Sequence, residues 1–217
     1  SAPTPGLHRL TARGADDTGK SWLSTIAWIA IVQPIMPLRS VWKYLDNGTD
    51  QGTAWQAPNF DDSAWRSGPA QLGYGDGDEA TVVEDNATPG YNSADTNRYI
   101  TTYFRRAFVA SNVTALTSLT LALVRDDGGV VYLNGREIFR SNLAAAPAVI
   151  AYTNQALSPV EETTDTITLN ATNLLEGTNV LAVEIHQNFP NSSDISFDLS
   201  LSSMPEIIRN QLPPVNF

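Results

Sequence analysis

From residue 40 onward, apolar and polar positions alternate in short runs, with a period of two rather than the 3.6 of a helix. Leu119, Leu121 and Leu123 alternate with Thr120, Ala122 and Val124. Leu181, Val183 and Ile185 stand opposite Ala182, Glu184 and His186, and Ile195, Phe197, Leu199 and Leu201 opposite Ser196, Asp198 and Ser200. Each set predicts a strand with a buried apolar face. Val41–Leu45 reads as a first strand and Tyr99–Val109 as a long β-rich run. Asp127-Gly128-Gly129 predicts a turn into Val130–Leu133. Asn134-Gly135 predicts another into Glu137–Arg140, an Asn-Gly pair between β runs being the strongest short hairpin signal. Ala171–Leu175 is too short for more than a helical turn. The expected class is all-β, a two-sheet antiparallel jelly-roll sandwich over residues 40–203.

Residues 1–39 break this pattern. Arg9, Arg13 and Lys20 precede an uncharged apolar run from Trp22 to Leu38. As a helix that run reaches only about 25 Å against a hydrocarbon core of about 30 Å, and Pro34 and Pro37 would end it early. Basic residues before a short apolar stretch also suit a signal peptide or anchor, although no small-residue cleavage site follows. We expect an irregular or partly helical N-terminal arm. Two readings stay open for residues 20–38: insertion in a membrane, or packing on protein. In both, Trp22, Ile26, Trp28 and Ile29 make the contact. Residues 204–217 read as a Pro-rich tail.

Composition narrows the functions. The chain has 217 residues and a net charge of −10, with no basic stripe to neutralise phosphates, so no nucleic-acid partner is expected. It contains no cysteine, which removes disulfides, zinc–thiolate sites and thiol nucleophiles. The Asn-x-Ser/Thr triplets at Asn47, Asn86, Asn112, Asn170 and Asn191 accept glycans only in a eukaryotic secretory pathway.

Catalytic constellations are hard to assemble. His8 and His186 are the two histidines, no G-x-S-x-G elbow is present, and His186 suits a structural role at a strand end. The adjacent carboxylates Asp61-Asp62, Asp126-Asp127 and Glu161-Glu162 do not establish the separated pair that glycoside hydrolysis needs. In F-D-D-S-A-W the aspartates are expected to cap a turn while Phe60 and Trp65 enter the core. Calcium is the one metal the donors suit, through Asp76, Asp78 and Glu79 on the loop from Gly73, the other reading being a solvated acidic turn. Trp55, Tyr74, Tyr91 and Tyr103 lie in or near polar, loop-rich sequence, where an aromatic face can meet a pyranose. Trp42 and Trp65 read as core.

The runs VWKYLDNGTDQGTAW, FDDSAWRSGPAQLGYGDGDE, YITTYFRRAF, LVRDDGGVVYLNGREIFR, GTNVLAVEIHQ and SSDISFDLSL resemble, in order, a galactose-binding-like module of bacterial secreted and cell-surface proteins. The resemblance spans Ser40 to about Ser203 and leaves residues 1–39 uncovered. It implies an exported protein, periplasmic, extracellular or at the cell surface, with membrane association if the arm meets lipid. It further implies a non-catalytic module that binds carbohydrate or mediates adhesion, its partner a glycan or another protein. The alternative is a structural or accessory subunit docked through its arm on a larger membrane or surface assembly.

Overall fold

The computed structural model describes residues 6–24, 26–31, 33–83 and 98–205. Its strands are β1 (Gly6–Leu10), β2 (Arg13–Ala15), β3 (Ser21–Leu23), β4 (Ala27–Ile31), β5 (Gln33–Met36), β6 (Val41–Leu45), β7 (Arg66–Pro69), β8 (Leu72–Tyr74) and β9 (Thr81–Val82). There follow β10 (Thr101–Ala110), β11 (Leu116–Asp126), β12 (Gly128–Leu133), β13 (Arg136–Ser141), β14 (Thr163–Asn170), β15 (Gly177–His186) and β16 (Ile195–Pro205). One sheet runs β13-β12-β15-β10-β6-β7 and the other β14-β11-β16-β8-β9, with β5 added against β16. Pairing is antiparallel apart from the short β8–β9 pair. The expected all-β antiparallel sandwich is observed.

The alternation read from the sequence is the reason. Leu119, Leu121 and Leu123 of β11 pair with Ser203, Leu201 and Leu199 of β16, so the leucines of both strands share one face. Leu181, Val183 and Ile185 of β15 supply the facing layer, and all these apolar side chains are at most 1% exposed. Burying each contributes about 1.5–3 kcal/mol. The Asn134-Gly135 turn forms as expected, both residues at positive φ (54° and 83°), which matches the right-handed twist of the strands it joins. At the β11–β12 corner the chain crosses between sheets. A Cβ on Gly128 would stand 3.0 Å from Ala156 Cβ and 3.1 Å from the Asn142 carbonyl, so no side chain larger than hydrogen fits without displacement.

The arm is not irregular or helical. β1 pairs with β4 and β2 with β3, making a long two-stranded hairpin whose tip is Asp16–Lys20. Asp16 closes that tip by accepting from the Thr18 and Lys20 amides, with Gly19 at φ 85°. The apolar run failed as a helix because Trp, Ile and Thr lose rotamer freedom there, whereas they fit a pleated ribbon that residues 6–15 complete. Pro34 falls in β5, at the edge of its sheet, where a missing N–H is tolerated. The expected tail boundary also moves, since Met204 and Pro205 finish β16; residues 206–217 lie outside the described residues.

A second apolar layer covers the outer face of the six-stranded sheet. Trp55, Trp65, Tyr103, Val130, Tyr132, Leu143 and Ala182 form it, with Leu45, Phe60, Ile150 and Tyr152 packed on its margin. The segments between β6 and β7 and between β13 and β14 therefore act as a lid on that sheet, which is buried on both faces.

Candidate functional site

The lid decides the fate of Trp55 and Tyr103, and the inter-sheet core that of Tyr74. Trp55 is fully buried, with its Nε1 donating to the Gly52 carbonyl at 3.1 Å and its ring 4.7 Å from that of Tyr103. Tyr103 is 2% and Tyr74 7% exposed. None of the three presents a face to solvent, so they are not available as sugar platforms, and Tyr91 lies outside the described residues. Polar, Gly-rich sequence around Trp55 signals a loop, but not one laid over a sheet with its aromatic pointing inward. Trp42 and Trp65 are core, as expected, and Asp61 caps its turn by accepting from the Ser63 amide at 3.0 Å.

His186 is enclosed. Its Nδ1 stands 2.7 Å from the Asn154 carbonyl and 3.0 Å from Thr101 Oγ1, while Nε2 faces Glu184 Oε2 at 3.4 Å. Thr101, Glu184 and His186 are at most 3% exposed, and the Thr101 hydroxyl donates to the Tyr152 carbonyl at 2.5 Å. The Asn154 carbonyl fixes the proton on Nδ1, so this nitrogen has no lone pair with which to take one from the hydroxyl. Tyr132 donates to Glu184 Oε1 at 2.7 Å, and burial, then the Glu184 charge, pushes its phenol up. The group ties the lid segment 152–154 to β10, β12 and β15.

The predicted calcium residues come together: Asp76, Asp78 and Glu79 have carboxylate oxygens within 4.8 Å of one another. Two of the three are already engaged. Both Glu79 oxygens accept backbone amides, from Asp76 at 2.9 Å and Gly77 at 3.0 Å, and Asp76 Oδ2 accepts from the Ser196 hydroxyl at 3.1 Å. Asp76 and Asp78 are exposed.

A second acidic group was not visible in the sequence. Asp126 at the end of β11, Glu161 ahead of β14 and Asp194 ahead of β16 also bring carboxylate oxygens within 4.8 Å of one another. Asp126 is 2% exposed. Burial first, then the neighbouring charges of Asp127, Asp194, Glu161 and Asp76, pushes its carboxyl up to about 8. Parity placed Asp126 on the outer face of β11. Only the fold brings Glu161 and Asp194 up to it.

An open groove of about 410 Å³ lies where the lid's two segments meet. Its polar lining is Thr53, Gln56, and Glu137 with Arg140, whose Nη2 donates to Glu137 Oε2 at 2.5 Å. Its apolar lining includes Pro147, Val149 and Ile150, and Val149 is 83% exposed. Arg140 Nη1 also donates to the carbonyls of Ala144 (2.6 Å) and Ala148 (3.0 Å), which holds that segment in place.

The sandwich has counterparts among solved structures. A β-glucuronidase from Bacteroides uniformis matches with a TM-score of 0.51 at 18% identity, covering 80% of this chain and 18% of that one. A glycosyl hydrolase family 2 member from Bacteroides cellulosilyticus matches with a TM-score of 0.50 at 13% identity, over 79% of this chain and 20% of that one. The chain thus spans about a fifth of either protein's length. At these identities the likeness is one of fold. No family model matches the sequence, and neither does any curated protein.

On the arm, Trp22 is 56% and Ile26 49% exposed. The backbones of Trp28 and Ile29 lie in β4, and their side chains are outside what is described. No helix among the described residues is long and apolar enough to cross a membrane.

Proposed function

We propose that this chain is a non-catalytic glycan-binding module of an exported, larger carbohydrate-associated protein. The observation that carries the reading is the groove between the lid segments. A sugar ring presents C–H faces and hydroxyl edges, and the groove is lined both by apolar Pro147, Val149 and Ile150 and by Gln56, Thr53 and a bidentate ion pair. The fold supports it, since sandwiches of this kind stand within enzymes named as glycosidases. The enclosed His186 supports the non-catalytic part.

Affinity electrophoresis through neutral and uronic-acid polysaccharides tests it. The full chain is expected to be retarded by at least one polymer. A Gln56→Ala, Val149→Ser double variant should bind about tenfold more weakly, the equivalent of about 1.4 kcal/mol. Free migration in every polymer, or unaltered retardation of the variant, counts against the groove.

One observation favours a second reading, docking of the arm on a protein partner. The hairpin exposes Leu10, Trp22 and Leu23 (48%, 56% and 68%), Trp22 and Leu23 being successive in β3 and so on opposite faces of the ribbon. Trp22→Ser with Leu23→Ser should then abolish co-purification of that partner and leave glycan retardation unchanged. Retention of the partner by the double variant would exclude the arm.

A further inference from the structure

Asp126 and Asp127 are adjacent, equally buried and treated in opposite ways. Asp127 is satisfied: its Oδ1 accepts from the Val160 amide at 2.7 Å and its Oδ2 from the Asn188 amide at 2.8 Å. It is the clasp that joins two loops to the β11–β12 corner. The Asp126 carboxylate accepts no hydrogen bond from the described residues, yet only 2% of the residue is exposed, and it stands against the carboxylates of Glu161 and Asp194. A buried charge without a partner is expensive, and like charges beside it add to the cost.

A further unpaired oxygen belongs to Gln187. Gln187 is fully buried, and its Nε2 donates to the Asp194 carbonyl at 2.8 Å and to the Tyr74 hydroxyl at 3.1 Å. The Oε1 of the same amide is buried with nothing to accept from. A fully buried amide oxygen without a partner, on a side chain hydrogen-bonded to Asp194, together with a nearly buried carboxylate that accepts no hydrogen bond, is the inverse of ordinary core chemistry, where buried acceptors are paired.

We propose that Asp126, Glu161 and Asp194 form a calcium-binding site, with the Gln187 amide oxygen as a neighbouring neutral donor. Two oxygens each about 2.4 Å from one ion stand no more than about 4.8 Å apart, and the three carboxylates meet that limit. Oxygen donors of mixed charge from separate segments suit calcium's adaptable shell of about 6–8 ligands. Magnesium demands a stricter octahedron, and zinc prefers imidazole and thiolate. The ion would cross-link the ends of β11 and β16 to the approach to β14. This site differs from the β8–β9 loop, where Asp76 and Asp78 are exposed and Glu79 and Asp76 already accept hydrogen bonds from that loop and from Ser196.

The test uses the full chain, with calcium chloride as the only added ligand, so it is independent of glycan binding. Calorimetric titration is expected to show one site with a Kd of about 1 mM or tighter, the range of extracellular modules. The melting temperature should rise with calcium and fall with EDTA. Glu161→Gln, at an exposed position, keeps the fold and is expected to weaken binding at least tenfold. Asp126→Asn should do the same while melting above wild type in EDTA, because it removes a carboxyl whose ionised form is penalised by burial and by its acidic neighbours. Asp78→Asn should bind like wild type. A wild-type chain indifferent to about 10 mM calcium and to EDTA would overturn the site. So would calcium binding that survives Glu161→Gln but is lost in Asp78→Asn.

Discussion

Replacing Arg105 with alanine is expected to cost about 3 kcal/mol or more of stability, one of the largest effects for a side chain outside the inter-sheet core. Arg105 is 1% exposed on the outer face of β10, beneath the lid. Its Nε donates to Asp62 Oδ2 at 2.9 Å, its Nη1 to the Trp55 carbonyl and its Nη2 to the Ala57 carbonyl at 3.2 Å. The guanidinium also lies 5.2 Å from the centre of the Phe60 ring. Truncation leaves the Trp55 carbonyl without its donor, while that of Ala57 keeps the Phe60 amide at 3.2 Å, and it opens space under Trp55. Asp62 suffers less, since its side chain is a quarter exposed and Lys43 Nζ remains 3.1 Å away. Lysine should recover less than half of the loss, because one ammonium cannot span three acceptors set apart like a fork. Urea titration followed by tryptophan fluorescence measures both variants. A loss below about 1 kcal/mol for Arg105→Ala would mean that the lid is not pinned through this residue.

The sandwich was legible because a strand with one buried face writes its orientation into every second residue. β11, β15 and β16 carry that signal over their whole length, and the Asn134-Gly135 turn has a chemistry that few other conformations use. The lid was not legible. Trp55 in a polar, Gly-containing loop looks the same in sequence whether its ring faces solvent or a sheet, since Gly52 shapes the turn in both cases. Clues existed in hindsight: Tyr103 and Arg105 alternate with Phe104 on a strand, so both had to lie on the outer face. An outer face rich in aromatics and arginine needs a cover. The arm misled for a different reason. Its apolar run has no period of its own, and only the pairing of β1 with β4 gives it a ribbon.

The acidic cluster shows the limit most clearly. Asp126, Glu161 and Asp194 are separated by tens of residues and carry no spacing motif; they meet because β11, β14 and β16 are neighbours in one sheet and reach the same end of it. Spacing rules find ligands on one loop, as at Asp76, Asp78 and Glu79. They do not find ligands that topology collects.

Phe197→Ala is expected to be the most destabilising single truncation in the inter-sheet core, at about 3–5 kcal/mol. Phe197 on β16 is fully buried. Its ring stacks on Phe104 of β10 with centroids 4.0 Å apart, and it meets the Trp42 ring of β6 edge-on at 4.9 Å. β16 belongs to one sheet, β6 and β10 to the other, so this trio is where the two layers interlock. Alanine removes the shared ring and leaves a cavity that strands fixed by pairing on both sides cannot collapse to fill. Leucine restores most of the volume but not the aromatic contacts, worth about 0.5–1.5 kcal/mol, so its cost should be well under half that of alanine. For a domain of this size, alanine lowers the melting temperature by on the order of 10 °C. Calorimetry or circular dichroism reads that shift directly. A fall of only a degree or two would mean that the rings of β16 and β10 do not carry the packing between the layers, and the face-to-face arrangement of the two sheets would have to be abandoned.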